Sequence, residues 1–195
     1  MIHRKQNFTV ALCSAFLMVF LWPLTSLAYN QATASDAQVL SSDNSLFSVT
    51  YRMSFLNREV RIPIHAARSH TDSEPTSIHY SITRNNTPYS AGVAPAIVLT
   101  DDPDVTIEDG HYVLPAGEAA EFTLYSIFRP STTGDALYQL SIDHLPFVLV
   151  DAEGTAELSS FPEHNPADYQ TPALMLGAQP FTISAEVTEI TTSRK

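Results

Sequence analysis

The chain is nearly without cysteine and lysine, and each absence excludes something. Its single cysteine, Cys13, lies within the first 28 residues, so the rest of the chain has none. Any fold after residue 28 must therefore be held together by its apolar core, without disulfide bonds. Lysine occurs only as Lys5 and Lys195.

The scarcity of cations leaves the chain strongly acidic. It has 10 Lys plus Arg against 21 Asp plus Glu, a formal net charge of −11. Arg4 and Lys5 fall in the first 28 residues, which hold no acidic side chain, so the remainder has 8 basic and 21 acidic residues and a charge of −13. Nucleic acids and anionic membrane surfaces need clustered cations. We therefore predict no nucleic-acid binding, and no membrane insertion beyond the N-terminal segment.

Signatures of catalysis are also missing. The chain has no G-x-S-x-G motif, no S-x-x-K motif and no cysteine nucleophile after residue 28. Six histidines follow that point, namely His65, His70, His79, His111, His144 and His164. None lies in an H-x-H or H-E-x-x-H arrangement, so a zinc site is poorly supported. These absences favour a protein that is not an enzyme and that holds no cofactor, except for the calcium considered below.

Residues 1–28 have the pattern of a signal peptide. Arg4 and Lys5 form a positive start, the run from Phe8 to Trp22 is apolar, and Ser26-Leu27-Ala28 offers small residues for cleavage. We predict a signal helix cleaved after Ala28, with retention as an uncleaved anchor as the alternative. The mature protein would then be secreted, periplasmic or bound at the cell surface. Export without disulfide bonds favours a bacterial source.

Alternation of apolar and polar side chains predicts strands over most of the remaining chain. The longest run begins at Leu46, with Phe47, Val49, Tyr51, Met53 and Phe55 on one face. Shorter runs are centred on Val60–Ile64, Ile78–Ile82, Ala96–Leu99, Tyr138–Ile142, Phe147–Val150 and Phe181–Ile190. Pro63 cannot donate a ladder hydrogen bond and indicates an edge strand or a bulge.

The stretch from Gly110 to Arg129 predicts two strands joined as a hairpin. Pro115 and Gly117 suit the second and fourth positions of a tight turn that starts at Leu114. After the turn, Phe122 alternates with Glu121, Thr123 and Tyr125, which we place on the solvent face.

These patterns predict an all-β fold, an antiparallel β-sandwich of seven to nine strands. Residues 29–45 are polar and lack periodicity, so we predict a flexible leader before a single domain over 46–190. Within that domain, residues 152–180 have four prolines and no alternation, which predicts a long loop. Residues 191–195 are predicted to form a flexible tail.

Four segments together resemble the immunoglobulin-like sandwich domains of bacterial exported and surface proteins. They are Phe47–Tyr51 with Arg61–Ile64, Tyr112–Leu124 and Gly134–Leu140, and the resemblance covers residues 46–151. It implies a seven-stranded Greek-key sandwich with Tyr138 as a tyrosine corner. Leu140 stands where antibody-type domains have their second cysteine. The resemblance implies no catalytic residue and no cofactor.

The acidic stretch from Thr100 to His111 is the densest cluster of potential metal ligands. Calcium takes six to eight oxygen ligands, which loops at the end of a sandwich can supply. One interpretation is a Ca²⁺ site, and the other is a solvated acidic loop. The ligands of such a site would be Asp101, Asp102, Asp104, Glu108 and Asp109.

The long loop carries the residues best suited to recognition. They are Phe161, His164, Asp168, Tyr169 and Met175. Aromatic side chains beside polar groups on a rigid scaffold commonly bind partners. The alternative is that the apolar side chains fold back to cover a sheet edge.

The sequence therefore favours an exported binding, adhesion or structural module whose partner is a protein or glycan of the cell envelope. One alternative is a Ca²⁺-binding surface domain. Another is a secreted carbohydrate-active or metal-dependent hydrolase with its site in the acidic stretch or the long loop. A polar pocket joining His111 to the acidic residues would favour the enzyme, and a flat face would favour the module.

Overall fold

A computed structural model describes residues 28–69, 77–132, 134–161 and 169–177. The predicted signal helix, the predicted strand Phe181–Ile190 and the tail 191–195 lie outside the described residues, as do His70, His164 and Asp168. The described part is all-β, as predicted, and no helix in it could cross a membrane.

Thirteen strands are present in the described residues, more than the seven to nine predicted. Their bounds are β1 Ala28–Ser41, β2 Asn44–Phe55, β3 Glu59–Pro63, β4 Ala66–Arg68, β5 Ile78–Arg84, β6 Thr87–Pro88, β7 Ala96–Leu99, β8 Thr106–Glu108, β9 His111–Leu114, β10 Ala119–Phe128, β11 Ala136–Val150, β12 Ala156–Phe161 and β13 Leu174–Leu176.

The smaller sheet has four antiparallel strands in the order β1-β2-β10-β7. At its β7 side, a bridge between His65 and Ile97 joins the sheet to the chain that follows β3. At the other side, β1 is the edge strand.

The larger sheet has nine strands, with the path β4-β5-β11-β3-β9-β8. Strand β11 unites the two separately predicted runs 138–142 and 147–150 in one strand of 15 residues, with a register shift between Ile142 and His144. The β4–β5 pair is parallel, so the prediction of a wholly antiparallel fold is wrong at that pair.

One core fills the space between the two sheets, because each sheet turns its apolar face inward. In β2 every second residue from Ser45 to Phe55 is buried, as the alternation predicts. Ring contacts join the sheets: Phe55 lies 5.3 Å from Phe147, and Phe128 lies 4.9 Å from Tyr138, measured between ring centroids. The sheets therefore cohere through a shared aromatic core.

The predicted hairpin over 110–129 is wrong in its pairing. Both strands exist, but β9 pairs with β3 and β8 in the larger sheet, whereas β10 pairs with β2 and β7 in the smaller one. The turn between them also begins one residue later than predicted, since Glu118 N–H donates to the Pro115 carbonyl at 3.2 Å and Gly117 has a φ of 85°. A positive φ at the third position is the requirement of a type II turn. Alternation predicts a strand but not its neighbour.

The predicted flexible leader over 29–45 is also wrong, because β1 occupies most of it and β2 begins at Asn44. Strand β1 pairs with β2 along nearly its whole length, with a bulge between Ala32 and Ala34. Its inward contribution to the core is small, namely the partly buried Ala32 and Ala37. An edge strand held mainly by backbone hydrogen bonds needs no alternation of large apolar residues, so the pattern in the sequence is weak.

The predicted long loop over 152–180 contains two strands, β12 and β13, which pair with opposite edges of β11. Beside β13, Thr171 N–H donates to the Leu140 carbonyl at 2.9 Å and its hydroxyl accepts from Leu140 N–H at 3.1 Å. The described parts of this segment therefore cover both edges of β11, in agreement with the covering alternative.

Pro63 and Tyr138 do not have the structural roles that the sequence predicts. Pro63 lies neither in an edge strand nor at a bulge, because β3 is paired on both sides. It is the last residue of β3, and the pairing of β3 with β11 already ends at Arg61, opposite Val148. Tyr138 is buried, but its hydroxyl makes no hydrogen bond to the backbone of the described residues, so it does not form the bond of a tyrosine corner there.

A buried arginine holds the loop between β6 and β7. Arg68 is 8% exposed, and its guanidinium donates to the carbonyls of Tyr89 and of Gly92, the latter at 3.2 Å. Burial lowers the pKa of Arg68. Carbonyl acceptors compensate part of the cost of burying a guanidinium, and these contacts fix the loop against the ends of β4 and β10.

Candidate functional site

The outer face of the smaller sheet is the most distinctive surface of the described residues. Because side chains alternate along a strand, burying Phe122 and Leu124 turns Glu121, Thr123, Tyr125 and Ile127 outward. The register places Thr123 between Thr50 and Leu99, and Tyr125 between Ser48 and Ile97. Residues far apart in the sequence thus form adjacent rows on one face.

This face is unusually apolar along its β7 side. Ile97 is 50% exposed, Leu99 45% and Ile127 51%. Solvent faces of sheets are normally polar, and contiguous exposed apolar side chains mark surfaces that bind something. Arg52 and Glu121 are opposite each other in the strand register at one end of the face, and both are exposed, but they form no ion pair with each other.

A shallow groove of about 690 Å³ crosses this face. Its lining comes from all four strands of the sheet and from the chain that follows β7: Thr33, Ala34, Thr50, Leu99, Thr100, Asp101, Glu121, Thr123 and Tyr125. Hydroxyl groups, two carboxylates, one aromatic ring and aliphatic carbon therefore meet in one open depression.

The hydroxyls in the groove are held by the sheet. Thr50 and Thr123 are cross-strand partners, and their Oγ1 atoms lie 2.9 Å apart. Thr33 sits at the β1 bulge and donates its hydroxyl to the Thr50 carbonyl at 3.4 Å. Thr100 Oγ1 accepts from Asp102 N–H at 3.2 Å. Side chains on paired strands are rigidly positioned, which suits a binding site.

The two carboxylates of the groove face solvent. Asp101 and Glu121 are both exposed, and neither forms an ion pair or a side-chain hydrogen bond within the described part of the chain. Their oxygens are therefore free to accept hydrogen bonds from a ligand.

The five predicted calcium ligands do not converge. Within the ranges that the structure covers, no three acidic, histidine or cysteine side chains are arranged to hold a metal ion. Asp101 lines the groove, whereas Asp102 Oδ1 accepts from Asp104 N–H at 3.0 Å. Glu108 lies on β8 and reaches Arg61 at 4.0 Å, and Asp109 forms the β8–β9 turn with Gly110. Both turn residues have positive φ, the geometry that Asp-Gly favours in two-residue hairpins.

The histidines likewise do not join the acidic residues. His111 Nδ1 lies 3.0 Å from the carbonyl of Asp109, on the larger sheet. His79 and His144 are cross-strand neighbours with ring centroids 5.7 Å apart. Burial, together with the charge of His79, lowers the pKa of His144.

The predicted binding loop is only partly described. Tyr169 is 6% exposed and belongs to the core, so its assignment as a binding residue is wrong. The backbone of Phe161 ends β12 opposite Leu145. Met175 is 46% exposed on β13. His164 and Asp168 lie outside the described residues.

A second cavity, of about 290 Å³, lies at one end of the sheets. Its lining includes Asp43, Pro130, Leu176 and Gly177. Asp43 is its charged side chain and already pairs with Arg129 at 3.4 Å. This cavity is more enclosed than the groove but offers less chemistry for recognition.

The sequence predicts the outward direction of three residues of the groove. Its alternation places Glu121, Thr123 and Tyr125 on the solvent face, where the structure has them. Thr33 was missed because it lies in the segment predicted as a flexible leader. The convergence of Asp101 with Glu121 depends on the pairing of β7 with β10, and no local signal predicts that pairing.

Comparisons of the chain with protein-family models, with curated proteins and with solved structures find no match. The function of the groove must therefore be argued from its own residues.

Proposed function

We propose that this chain is an exported, non-catalytic immunoglobulin-like Greek-key β-sandwich that acts at the cell surface or outside the cell as a binding, adhesion or structural module. Its binding surface is the outer face of the smaller sheet. The signal-like pattern of residues 1–28 supports export to the periplasm, the cell surface or the medium.

The observation that carries this proposal is the exposure of Ile97, Leu99 and Ile127 beside the groove. Three large aliphatic side chains exposed on one face favour association with a partner, because burying them removes apolar surface from water. Such patches occur at binding surfaces.

The immunoglobulin-like assignment is supported by two facing sheets and by the connection at Pro115–Glu118, where the chain passes from one sheet to the other. The loose motifs over 46–151 support it as well. The parallel β4–β5 pair is a departure from that pattern.

The partner is a protein or a glycan of the cell envelope. The acidity of the chain, −11 over its whole length, disfavours nucleic acid. A partner outside the cell is consistent with the predicted export.

An envelope-binding assay tests this proposal. The protein is expressed with its own N-terminal segment, purified in the form that the cell produces, and mixed with washed envelope fragments of its source. We expect Ile97→Asp to lower sedimentation with the fragments by about tenfold, the effect of losing one central interface side chain. Ile107→Asp is the matched control, because Ile107 is 64% exposed on β8 of the larger sheet. Equal binding by wild type and Ile97→Asp, or equal loss in both variants, would refute the assignment of this face.

The second candidate function is a secreted carbohydrate-active hydrolase. The specific observation in its favour is that Asp101 and Glu121 line the same groove, since glycoside hydrolysis uses a pair of carboxylates. Release of reducing ends from polysaccharides by the wild type, abolished in Glu121→Gln, would favour this candidate over the module.

A further inference from the structure

We propose that the groove on the outer face of the smaller sheet binds an uncharged saccharide. This inference rests on the proposed function and deepens it, because it names the chemical class of the ligand for the same face. Three properties of the groove support it: its hydrogen-bonding groups, its apolar surface and its charge.

The hydrogen-bonding groups match a ligand rich in hydroxyls. A carboxylate accepts through two oxygens and can therefore receive hydrogen bonds from two neighbouring sugar hydroxyls. Asp101 and Glu121 have no partner among the described residues. Thr50 and Thr123 bond to each other through one hydrogen, which leaves the second hydroxyl hydrogen for a ligand. The groove thus offers acceptors in excess and at least one donor.

The apolar surface matches the other side of a sugar ring. A pyranose presents C–H groups on its faces and hydroxyls around its rim, so its site needs carbon surface next to polar groups. Tyr125 is half-buried and lines the groove together with Leu99, which is 45% exposed. Tyrosine combines a broad apolar ring with a polar tip, and it loses little conformational entropy when a ligand binds.

The charge of the groove excludes anionic ligands. Its lining has two carboxylates and no cation. Arg52, which is opposite Glu121 on the neighbouring strand, is not part of the lining. Uronates, sulfated sugars and phosphates would meet unfavourable charge here. A neutral saccharide is not repelled by the two carboxylates.

The shape of the groove is also suitable. Its volume of about 690 Å³ lies within the range of about 300–1,000 Å³ that is typical of ligand sites. The groove is open rather than enclosed, which leaves room for a ligand longer than one sugar. Its walls are strands of a sheet, so they are formed before the ligand arrives.

A panel of purified oligosaccharides tests the proposal. The neutral probes are tetramers of glucose, galactose, mannose and N-acetylglucosamine, and the anionic probe is a galacturonate tetramer. We expect at least one neutral tetramer to bind in calorimetry, with amide NMR shifts confined to the four strands of the smaller sheet and to residues 100–101, and we expect no binding of the galacturonate. Absence of binding by every neutral tetramer, or binding of the galacturonate as well, would overturn the proposal.

Two substitutions locate the site. Glu121→Gln should weaken binding by about tenfold, because a hydrogen bond to a charged acceptor becomes a neutral one. The matched control is Glu118→Gln, the same chemical change at an exposed turn residue outside the groove lining, which should bind like wild type. Tyr125→Ala should lose binding, whereas Tyr125→Phe keeps the ring and should retain most of it. Unchanged affinity in both Glu121→Gln and Tyr125→Ala would overturn the assignment of the groove.

The outcomes separate this inference from the proposed function. If Ile97→Asp loses envelope binding and no neutral tetramer binds, the face is a binding surface whose partner is a protein, and the saccharide proposal fails alone. If envelope binding is indifferent to Ile97→Asp and tetramers do not bind, both proposals fail. Folding of each variant is checked by its thermal unfolding, and Glu121→Gln keeps the test decisive because the replaced side chain is exposed.

Discussion

The hydroxyl of Tyr112 donates a hydrogen bond of 2.9 Å to the carbonyl of Val98 in the interior of the protein. Tyr112 lies on β9 of the larger sheet, and Val98 lies on β7 of the smaller one. The bond therefore joins the two sheets directly behind the apolar strip formed by Ile97 and Leu99.

Tyr112→Phe removes this bond while keeping the ring in the core. We expect a loss of about 1 kcal/mol in the free energy of unfolding, the usual net contribution of a buried hydrogen bond. Chemical denaturation of wild type and variant measures the difference. An unchanged midpoint would show that the bond does not contribute to stability.

Tyr51→Phe should have the opposite sign and serves as its control. The Tyr51 ring stacks on Phe122 at 5.8 Å, but its buried hydroxyl has no hydrogen-bond partner among the described residues, and burial raises the pKa of Tyr51. Removing a buried unpaired hydroxyl relieves a desolvation cost of about 1 kcal/mol or more. We expect a higher denaturation midpoint for this variant. A lower midpoint would indicate that the hydroxyl has a partner, such as an ordered water.

Gly92→Ala should destabilise the loop that Arg68 holds. Gly92 has a φ of 84°, and an added Cβ would lie 2.4 Å from the carbonyl oxygen of Arg129. That carbonyl accepts the hydrogen bond of Val93 N–H, so relief of the clash would disturb the Val93–Arg129 bridge. We expect a loss larger than the roughly 1–2 kcal/mol of a left-handed residue alone.

The matched control for this substitution is Gly154→Ala. Gly154 has nearly the same φ, 82°, but an added Cβ there meets no atom within 4 Å. Comparing the thermal unfolding of the two variants separates the cost of the Cβ clash from the cost of a positive φ in an alanine. Equal losses would mean that the loop moves away from Arg129 at no cost.

His144 should make stability depend on pH below neutrality. Its pKa is lowered in the folded state by burial and by His79, so the unfolded chain binds this proton at a higher pH than the folded chain. Stability therefore rises with pH from the lowered pKa up to about 6.5, the ordinary value for histidine, and is fully present above it.

His144→Gln should reduce the difference in unfolding free energy between pH 5 and pH 7.5. His65→Gln is the control, because His65 is exposed in the loop after β3. A difference that persists unchanged in His144→Gln would assign the pH dependence to other groups.

Added calcium should leave the thermal unfolding midpoint unchanged. A ligand that binds only the folded state must raise its stability. Asp102 and Asp104 are held in a local turn, and Glu108 lies on the other sheet near Arg61, so the carboxylates do not surround a common point. A rise in the midpoint with millimolar CaCl₂, absent with MgCl₂ of the same ionic strength, would contradict this and restore the calcium interpretation.

The sequence predicted strands best where both faces of a strand had a defined environment. The runs at Phe47–Phe55 and Glu121–Tyr125 alternate because one side meets the core and the other meets water. The same reasoning failed for β1, whose inward side chains are small alanines. It failed for β12 for a different reason, because Leu158 is apolar but 61% exposed, so the alternation of apolar and polar residues is lost.

The groove was predictable only in part, because local alternation gives the direction of a side chain but not its neighbours on other strands. The outward direction of Glu121, Thr123 and Tyr125 follows from local periodicity. Thr50, Thr123 and Leu99 lie next to one another only because of the order of the strands. Tyr169 is buried, although it belongs to a segment whose composition indicated a loop.

The amino-acid sequence by itself determined an all-β fold with an apolar core free of disulfide bonds, since these features depend on composition and on the side-chain period of a strand. Only the tertiary structure decided which strands are neighbours, that β9 and β10 belong to different sheets, and that Asp101 lies in one groove with Glu121. Strands pair through backbone groups that every residue carries. The order of the strands is therefore set by the packing of the whole chain, and no local sequence pattern predicts it.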